Sequence, residues 1–280
     1  MTEIKIKDIT EAIQSFGIEN NSILLTHSSL RALGHIEDGA EGVIRALWGA
    51  VPDGTLVFPT LSSKNWSTVF EDWSLDRPSD VGLISETFRR MPSSLRSDNE
   101  THSVAAAGRF AHDIVSSHRE GPERWGIFGD RCFSPASPWQ KMYESRERYG
   151  TRAYVLFFGV SMLYNTYKHF SEYRFVEELL LGVKDEKRRE TLRSELFHYP
   201  CHGTGPEDIM WPFYSSLDFE KTLLSEGLAK KIRLGDGELI LTDIYESVSR
   251  VDRALREDYK NLLYPHVIDW VDRVIAASSI

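Results

Sequence analysis

Short apolar runs alternate with amphipathic segments along the first two-thirds of the chain. Four apolar runs are predicted as strands, at residues 22–27, 54–61, 103–108 and 153–160. Helical periodicity is found at residues 39–51, 81–91, 109–118 and 137–150. Strands that are apolar throughout are typical of sheets covered by helices on both faces. The alternation therefore predicts an α/β fold with a mainly parallel sheet.

The last third of the chain is more helical, with one exception. Residues 228–243 alternate like two strands, and Gly235-Asp236-Gly237 supplies the turn between them. The prediction is a three-layer α/β/α fold with a mainly parallel central sheet, followed by a helical C-terminal part that carries a β-hairpin. With no repeat or long polar linker, residues 1–280 are predicted to form a single domain.

Composition narrows the class of protein. Hydrophobic residues make up 41% of the chain and charged residues 27%, enough for a substantial core. The net charge of −9 disfavours a nucleic-acid partner, because binding phosphates needs clustered Lys and Arg. An acidic balance is compatible with a cationic ligand and is also common among cytosolic proteins.

The cysteine content and the N-terminal residues bear on the compartment. Two cysteines cannot form a disulfide framework for 280 residues, which favours a reducing environment. The first residues lack the apolar segment of a secretory signal, and no run of about 18 apolar residues predicts a membrane span. We expect a cytoplasmic protein without a membrane partner.

Polar residues follow the first predicted strand. Ser28 and Ser29 stand where ligands bind in open α/β sheets, and Arg31 adds a positive charge. The first turn of the next helix offers free N–H groups that suit a phosphate. The alternative is an ordinary loop with polar caps. Neither a GxGxxG nor a GxxxxGK[ST] motif is present, so no dinucleotide fingerprint or Walker loop is predicted.

A histidine and a glutamate follow the most strand-like run. His169 and Glu172 are three residues apart at the start of a predicted helix, after a candidate cap at Asn165 or Thr166. That spacing puts both side chains on one helix face. A carboxylate bound to one ring nitrogen fixes the tautomer and raises the basicity of the other nitrogen, as a general base requires. By spacing alone, the pair is more typical of a solvent-facing ion pair, because such pairs are frequent on helices.

Other candidate chemistry is weaker. His102 precedes a strand and either lines the same crevice or caps the strand entry. No metal site is expected, because adjacent Cys201 and His202 rarely chelate one zinc ion, and the single His-x-x-Glu pair lacks the partners of a di-iron site. A serine hydrolase is disfavoured by the absence of G-x-S-x-G. The aromatic segments 65–73 and 210–217 either wall a substrate pocket or pack as surface loops.

Taken together, these segments resemble the aminoglycoside 3-N-acetyltransferase family, within the antibiotic N-acetyltransferase superfamily. The resemblance covers about residues 20–260, with the motifs in the family's order. They are HSSLRALG, GTLVFPTLS, RPSDVGLISETFRRMPSSLRS, THSVAAAG, SPWQKM and NTYKHFSEY. The resemblance implies transfer of an acetyl group from acetyl-CoA to an amine of an aminoglycoside or related amino sugar, and hence a link to antibiotic resistance. It also implies a fold unrelated to the GNAT acetyltransferases.

The same resemblance implies roles for individual residues. His169 would be the general base, and Glu172 would orient it. The residues implied for coenzyme A binding are Ser28, Ser29, Leu30 and Arg31, with Thr101, His102 and Ser103 along the pantetheine side and Thr166 near the thioester. The residues expected at the amine substrate are Trp66, Glu71 and Asp72. Residues at about 180–227 are a candidate helical insertion on the substrate side.

The sequence departs from the family pattern in two places. Asn99 and Glu100 stand where the family often has His-Pro, and Lys64 and Asn65 follow the second strand, where many members have an aspartate. A lysine is unfavourable beside a polycationic antibiotic. The alternatives are therefore a coenzyme A-dependent acyltransferase that acts on another biosynthetic amine, and a non-catalytic coenzyme A-binding protein. Both a monomer and a homodimer are open.

Overall fold

The chain forms one seven-stranded mixed sheet with helices packed against it. The computed structural model describes residues 3–62, 72–126, 128–197 and 211–278. The strands are β1 (Ile23–Ser28), β2 (Thr55–Pro59), β3 (Leu95–Arg96), β4 (Val104–Gly108), β5 (Ala153–Phe158), β6 (Ala229–Leu234) and β7 (Gly237–Asp243). They lie in the order β3-β4-β2-β1-β5-β7-β6. All four apolar runs and the hairpin predicted from the sequence are thereby confirmed as strands.

Eleven α-helices lie in the described residues. They are α1 (Ile6–Gln14), α2 (Gly39–Ala50), α3 (Leu83–Arg89), α4 (Ala111–Val115), α5 (Pro138–Tyr143), α6 (Ser145–Tyr149), α7 (Tyr167–Gly182), α8 (Glu186–Phe197), α9 (Ser216–Ser225), α10 (Ile244–Leu262) and α11 (Pro265–Ser278). Short 3-10 turns cover Leu30–Leu33 and Met162–Tyr164. Every helix in the described ranges is too short or too polar to cross a membrane.

The prediction of a mainly parallel sheet is wrong. Among the six ladders of the described residues, only β1–β2 and β1–β5 are parallel. The ladders β2–β4, β3–β4, β5–β7 and β6–β7 are antiparallel. The antiparallel strands β4 and β7 are mostly buried, as the parallel strands are, whereas the edge strand β6 exposes Lys230 and Arg233. An apolar run therefore indicates burial without indicating strand direction.

Alternate side chains of the central strand enter two separate cores. Ile23 and Leu25 belong to the cluster that contains Phe170 of α7. Leu24 belongs to the cluster on the opposite face, with Val43 of α2. This alternation is the two-residue period of a strand, and it explains why β1 is apolar at successive positions.

Side-chain caps fix where several helices begin. Ser137 accepts a hydrogen bond from the Gln140 N–H, and Asp243 accepts one from the Glu246 N–H at 3.1 Å. At the start of α7, Asn165 Oδ1 accepts from the Tyr167 N–H at 3.1 Å. These caps set the first turn of α7 directly beyond the end of β5.

Candidate active site

A cavity of about 720 Å³ opens at the carboxyl ends of the three parallel strands. That volume is within the range of small-molecule sites, and this edge of the sheet is where ligands bind in open α/β folds. Residues from the strand ends and the loops beyond them line it, among them His27, Ser28, Ser29, Gly82, Gly159 and Thr166. The structure thus brings together three of the residues expected at coenzyme A: Ser28, Ser29 and Thr166.

Gly159 allows the loop after β5 to lie close to the loop after β1 at the cavity wall. Its φ of 70° lies in the left-handed region that favours glycine. A Cβ atom there would lie 3.0 Å from the Ser29 carbonyl oxygen and 3.0 Å from the Ala32 Cβ. A larger residue at 159 would therefore push the β5 loop away from the loop after β1.

His169 and Glu172 form a hydrogen-bonded pair on α7. Nδ1 of His169 lies 2.7 Å from Oε2 of Glu172. The other carboxylate oxygen, Oε1, accepts a hydrogen bond from the Phe213 N–H at 2.7 Å. The Glu172 side chain is fully buried, whereas the His169 side chain is 25% exposed. A carboxylate held at both oxygens fixes the ring, and Nε2 is the nitrogen left to face a substrate.

The His169 ring is held from the side as well. The Phe128 ring lies edge-on to it at 4.6 Å between centroids, and the His102 ring at 6.3 Å. His169 does not line the cavity, but its backbone N–H donates to the carbonyl of Thr166, which does, at 3.0 Å. The base candidate is therefore one helical turn from the cavity.

Thr101, His102 and Ser103 are not on the cavity wall. Thr101 Oγ1 donates to the Phe128 carbonyl at 2.7 Å, and Ser103 Oγ donates to the Thr60 carbonyl at 2.9 Å. The His102 ring is buried against Phe128 and Phe133, and this burial holds its pKa well below the usual value. In this arrangement the three side chains contact other protein groups instead of the cavity.

Leu30 and Arg31 also lie off the cavity. Leu30 packs against the core beneath the loop, and Arg31 is exposed to solvent. The start of α2 is acidic: Asp38 is its N-cap and Glu41 lies in its first turn. Carboxylates already complement the positive end of this helix, so the structure gives the predicted phosphate contact there no support.

The expected amine-site residues are only partly within the described residues. Trp66 and Glu71 lie outside them, as do Lys64 and Asn65. Asp72 is exposed on the loop before Trp73, whose Nε1–H donates to Asp98 at 2.7 Å. Asp80 lies on the cavity wall and was not singled out from the sequence.

The departure at residues 99 and 100 has a structural explanation. Asn99 is buried, and its Oδ1 accepts from the N–H groups of Thr101 and His102 at 3.2 and 2.7 Å. Glu100 forms an ion pair with Arg119 at 2.6 Å. The amide therefore shapes the loop that carries His102, and the new carboxylate has a positively charged partner.

Sequence reasoning missed His27 and Arg96. His27 is the last buried residue of β1, and burial lowers its pKa to about 3. The Arg96 guanidinium donates to the carbonyls of Thr60 and Leu75 at 2.6 and 2.9 Å and lies over the Trp73 ring. A histidine at the end of an apolar run was the available signal for His27.

Within the described ranges, no group of three or more His, Cys, Asp and Glu side chains is placed to hold a metal ion.

Solved structures share this fold over nearly the whole chain. The apoenzyme of aminoglycoside acetyltransferase AAC(3)-IVa is 24% identical, covers 98% of this chain and 99% of its own, and superposes with a TM-score of 0.68. A mutant of that enzyme in complex with a gentamicin covers 99% and 98% at a TM-score of 0.69 and 22% identity. AAC-IIIb with CoASH covers 91% and 97% at 0.65 and 15% identity. The fold is that of the aminoglycoside acetyltransferases.

Sequence relatives give the family. The family model described as aminoglycoside 3-N-acetyltransferase matches residues 25–256. The chain belongs to this family. Aminoglycoside N(3)-acetyltransferase IV of Salmonella is 34% identical over 159 residues, which are 56% of this chain and 54% of that protein. The aminoglycoside N(3')-acetyltransferase-like protein YokD of Bacillus subtilis is 32% identical over 224 residues, 68% of this chain and 77% of that one. The first alignment thus spans about half of the Salmonella enzyme.

Proposed function

We propose that this chain is an acetyl-CoA-dependent N-acetyltransferase whose acceptor is an amine of an aminoglycoside or related amino sugar. The observation that carries the proposal is the His169–Glu172 pair. The buried Glu172 carboxylate holds the His169 ring, and His169 lies one helical turn from a ligand-sized cavity. The relatives named as aminoglycoside N(3)-acetyltransferases support this activity, and the neighbour solved with CoASH supports the choice of cosubstrate.

The cavity suits the acyl and pantetheine end of coenzyme A. Ser28 Oγ and His27 Nε2 are buried with no hydrogen-bond partner among the described residues, and both residues line the cavity. A buried polar atom without a partner costs about 1–3 kcal/mol, so these atoms favour a polar ligand. In the proposed complex Ser28, Ser29 and Thr166 contact the cosubstrate, and the thioester supplies an activated acyl carbon.

His169 moves the proton in the proposed step. Its Nε2 accepts a proton from the acceptor amine as the amine nitrogen forms a bond to the acyl carbon. The bond between the acyl carbon and sulfur breaks, and the protonated His169 ring gives its proton to the departing thiolate of coenzyme A, which returns the base to its neutral form. An N-acetylated amine and free coenzyme A thiol are the products. General-base assistance of this kind contributes about 10²–10⁴-fold to the rate.

Glu172 orients the base. Its Oε2 accepts from Nδ1–H, which leaves Nε2 unprotonated and ready to act. When His169 takes a proton, the carboxylate 2.7 Å away stabilises the imidazolium. The Phe213 N–H at the other oxygen keeps the carboxylate in this position.

Carboxylates on the cavity wall and on an exposed loop bear on the acceptor. Asp80 on the cavity wall and exposed Asp72 supply negative charge that suits a polycationic amine. The lysine at position 64 is the sequence feature that favours another amine as acceptor.

A thiol-release assay tests the function. Purified protein is mixed with acetyl-CoA and a panel of amines comprising aminoglycosides, simple amino sugars and other biosynthetic amines. Release with aminoglycosides supports the proposal, and release only with other amines moves the acceptor to that class. Tight coenzyme A binding without release for any amine would support a non-catalytic binding protein instead.

We also propose that residues 1–280 act as one N-acetyltransferase domain with three layers, α/β/α, distinct from the GNAT fold. The two cores on opposite faces of the sheet support the layered arrangement. Residues at about 180–227 remain the candidate insertion beside the substrate, and α8 and α9 are the parts of it that the structure describes as helices.

A further inference from the structure

The buried histidine at the end of the central strand is not used in the step described above. His27 is only 8% exposed and lines the cavity. Its Nε2 is buried without a hydrogen-bond partner in the part of the chain that the structure describes. Nearly all buried polar atoms in folded proteins have a partner. A histidine placed in this way calls for a ligand or a bound water.

His27 lies on the side of the sheet that faces α7, the helix that carries His169. His27 pairs in register with Phe157 of β5, and the two rings stack at 5.6 Å between centroids. Phe157 belongs to the core that α7 covers with Tyr167 and Phe170. His27 is therefore on the α7 face of the sheet, and it shares the cavity wall with Thr166 at the start of that helix.

The charge state of His27 selects the partner. Burial lowers the pKa of His27 to about 3, so the ring is neutral near pH 7. A neutral imidazole is a poor partner for phosphate, and it cannot serve as a general base at that pH because it does not accept a proton there. It can donate one N–H hydrogen bond, and the complement of that donor is a neutral oxygen such as a carbonyl.

We propose that the His27 imidazole donates a hydrogen bond to the acyl carbonyl oxygen of the thioester bound in this cavity. The inference rests on the proposed function. The thioester is the part of the cosubstrate that must reach the turn carrying His169. His27 lines the cavity together with Thr166, which is one helical turn from His169. Negative charge grows on the acyl oxygen as the amine bonds to carbon, and a fixed donor stabilises it without rearranging.

Two inert analogues of acetyl-CoA test the hydrogen bond without turnover. In the first, a methylene replaces the thioester sulfur, so a ketone carbonyl stands in the acyl position. The second is S-ethyl-CoA, which has the same chain length and no carbonyl. Calorimetry on the full chain gives both dissociation constants. We expect the wild type to bind the ketone about five-fold more tightly, the size of one neutral hydrogen bond.

His27→Phe keeps an aromatic ring against Phe157 and removes the donor. We expect this variant to bind the two analogues equally. Thr26→Val is the matched control, because Thr26 is the preceding residue of β1, its Oγ1 is also buried without a partner among the described residues, and it does not line the cavity. The control should keep the wild-type preference. We also expect His27→Phe to lower kcat by about 10²-fold.

The remaining outcomes separate this inference from the function. A preference for the ketone that persists in folded His27→Phe overturns the inference, as does equal binding by the wild type. Equal weakening of both analogues in the variant assigns the hydrogen bond to a pantetheine amide, which also overturns it. Wild-type protein that binds neither analogue contradicts the proposed function itself. If His27→Phe does not fold, nitrogen-labelled wild type replaces it: the His27 N–H resonance should move with the ketone and stay with S-ethyl-CoA, and an equal response to both overturns the inference.

Discussion

Nδ1 of His169 lies 2.7 Å from Oε2 of Glu172, and the second oxygen of that carboxylate lies 2.7 Å from the backbone nitrogen of Phe213. The carboxylate is fully buried, and the imidazole reaches the surface. An exposed ion pair at this spacing would contribute a few tenths of a kcal/mol to helix stability. A buried carboxylate with both oxygens bound costs desolvation energy, and its clearest use is to orient the ring.

Glu172→Gln should reduce catalysis while it preserves shape. The amide oxygen can still accept from the Phe213 N–H, but its NH₂ group then faces Nδ1 and favours the tautomer with the proton on Nε2. We expect kcat to fall by about 10²-fold with little change in KM for acetyl-CoA. Steady-state thiol release measures both constants.

Glu178→Gln is the matched control for that variant. Glu178 is on the same helix, 52% exposed, and forms an ion pair with Arg256 at 2.8 Å. Losing this exposed pair should change neither kcat nor the free energy of unfolding by much. Equal activity of the Glu172 and Glu178 variants would show that the buried carboxylate is not needed to orient His169.

Arg96→Ala should destabilise the chain that follows β2, where Arg96 binds the carbonyls of Thr60 and Leu75. The Arg96 guanidinium holds the Thr60 and Leu75 carbonyls, and burial lowers its pKa to about 10. Removing it deletes several hydrogen bonds from a charged, largely buried group and its contact with the Trp73 ring, so we expect a loss of about 2–4 kcal/mol in the free energy of unfolding. Urea denaturation measures the loss. Arg90→Ala, at an exposed helix end, should stay within about 0.5 kcal/mol of the wild type.

The buried histidines should make the protein less stable in mild acid. Burial lowers the pKa of His27 to about 3, that of His118 to about 4, and that of His102 well below the usual value. In the unfolded chain each titrates near pH 6.5, so below that pH the unfolded state binds more protons than the folded state. The free energy of unfolding therefore falls as pH falls, by up to about 1.4 kcal/mol per pH unit for each histidine.

Urea unfolding between pH 6.5 and 5 measures this effect above the range in which most carboxylates titrate. His27→Phe should reduce the slope by the share of one histidine, because the variant has one fewer group to protonate on unfolding. A wild-type stability that is flat or rises as the pH falls through this interval would contradict the buried, neutral state of these rings.

The sequence predicted the positions of the strands better than their directions. The apolar run at 153–160 became β5 (Ala153–Phe158), and the segment at 228–243 became the β6–β7 hairpin. The direction of β4 depends on the chain between β2 and β4, where α3 and the two-residue strand β3 return it antiparallel. So short a strand leaves no periodic signal in the sequence.

The site was partly predictable for a similar reason. Spacing along one helix placed His169 beside Glu172, because residues three apart meet on a helix face. The second oxygen of Glu172 is bound by the N–H of Phe213, forty-one positions further along the chain, and no local pattern encodes that contact. The buried roles of Asn99 and Arg96 likewise arise from tertiary packing. A motif names the residues, and the packing determines which of them face the cavity.

Comparison of wild type with His169→Ala and His169→Gln tests the proposed mechanism most directly. Two quantities are measured on each protein: coenzyme A affinity by calorimetry, and thiol release from acetyl-CoA with an amine that the wild type acetylates. We predict that both variants bind coenzyme A as the wild type does and that kcat falls by about 10²–10⁴-fold. Near-normal turnover in either variant would contradict the assignment of His169 as the base.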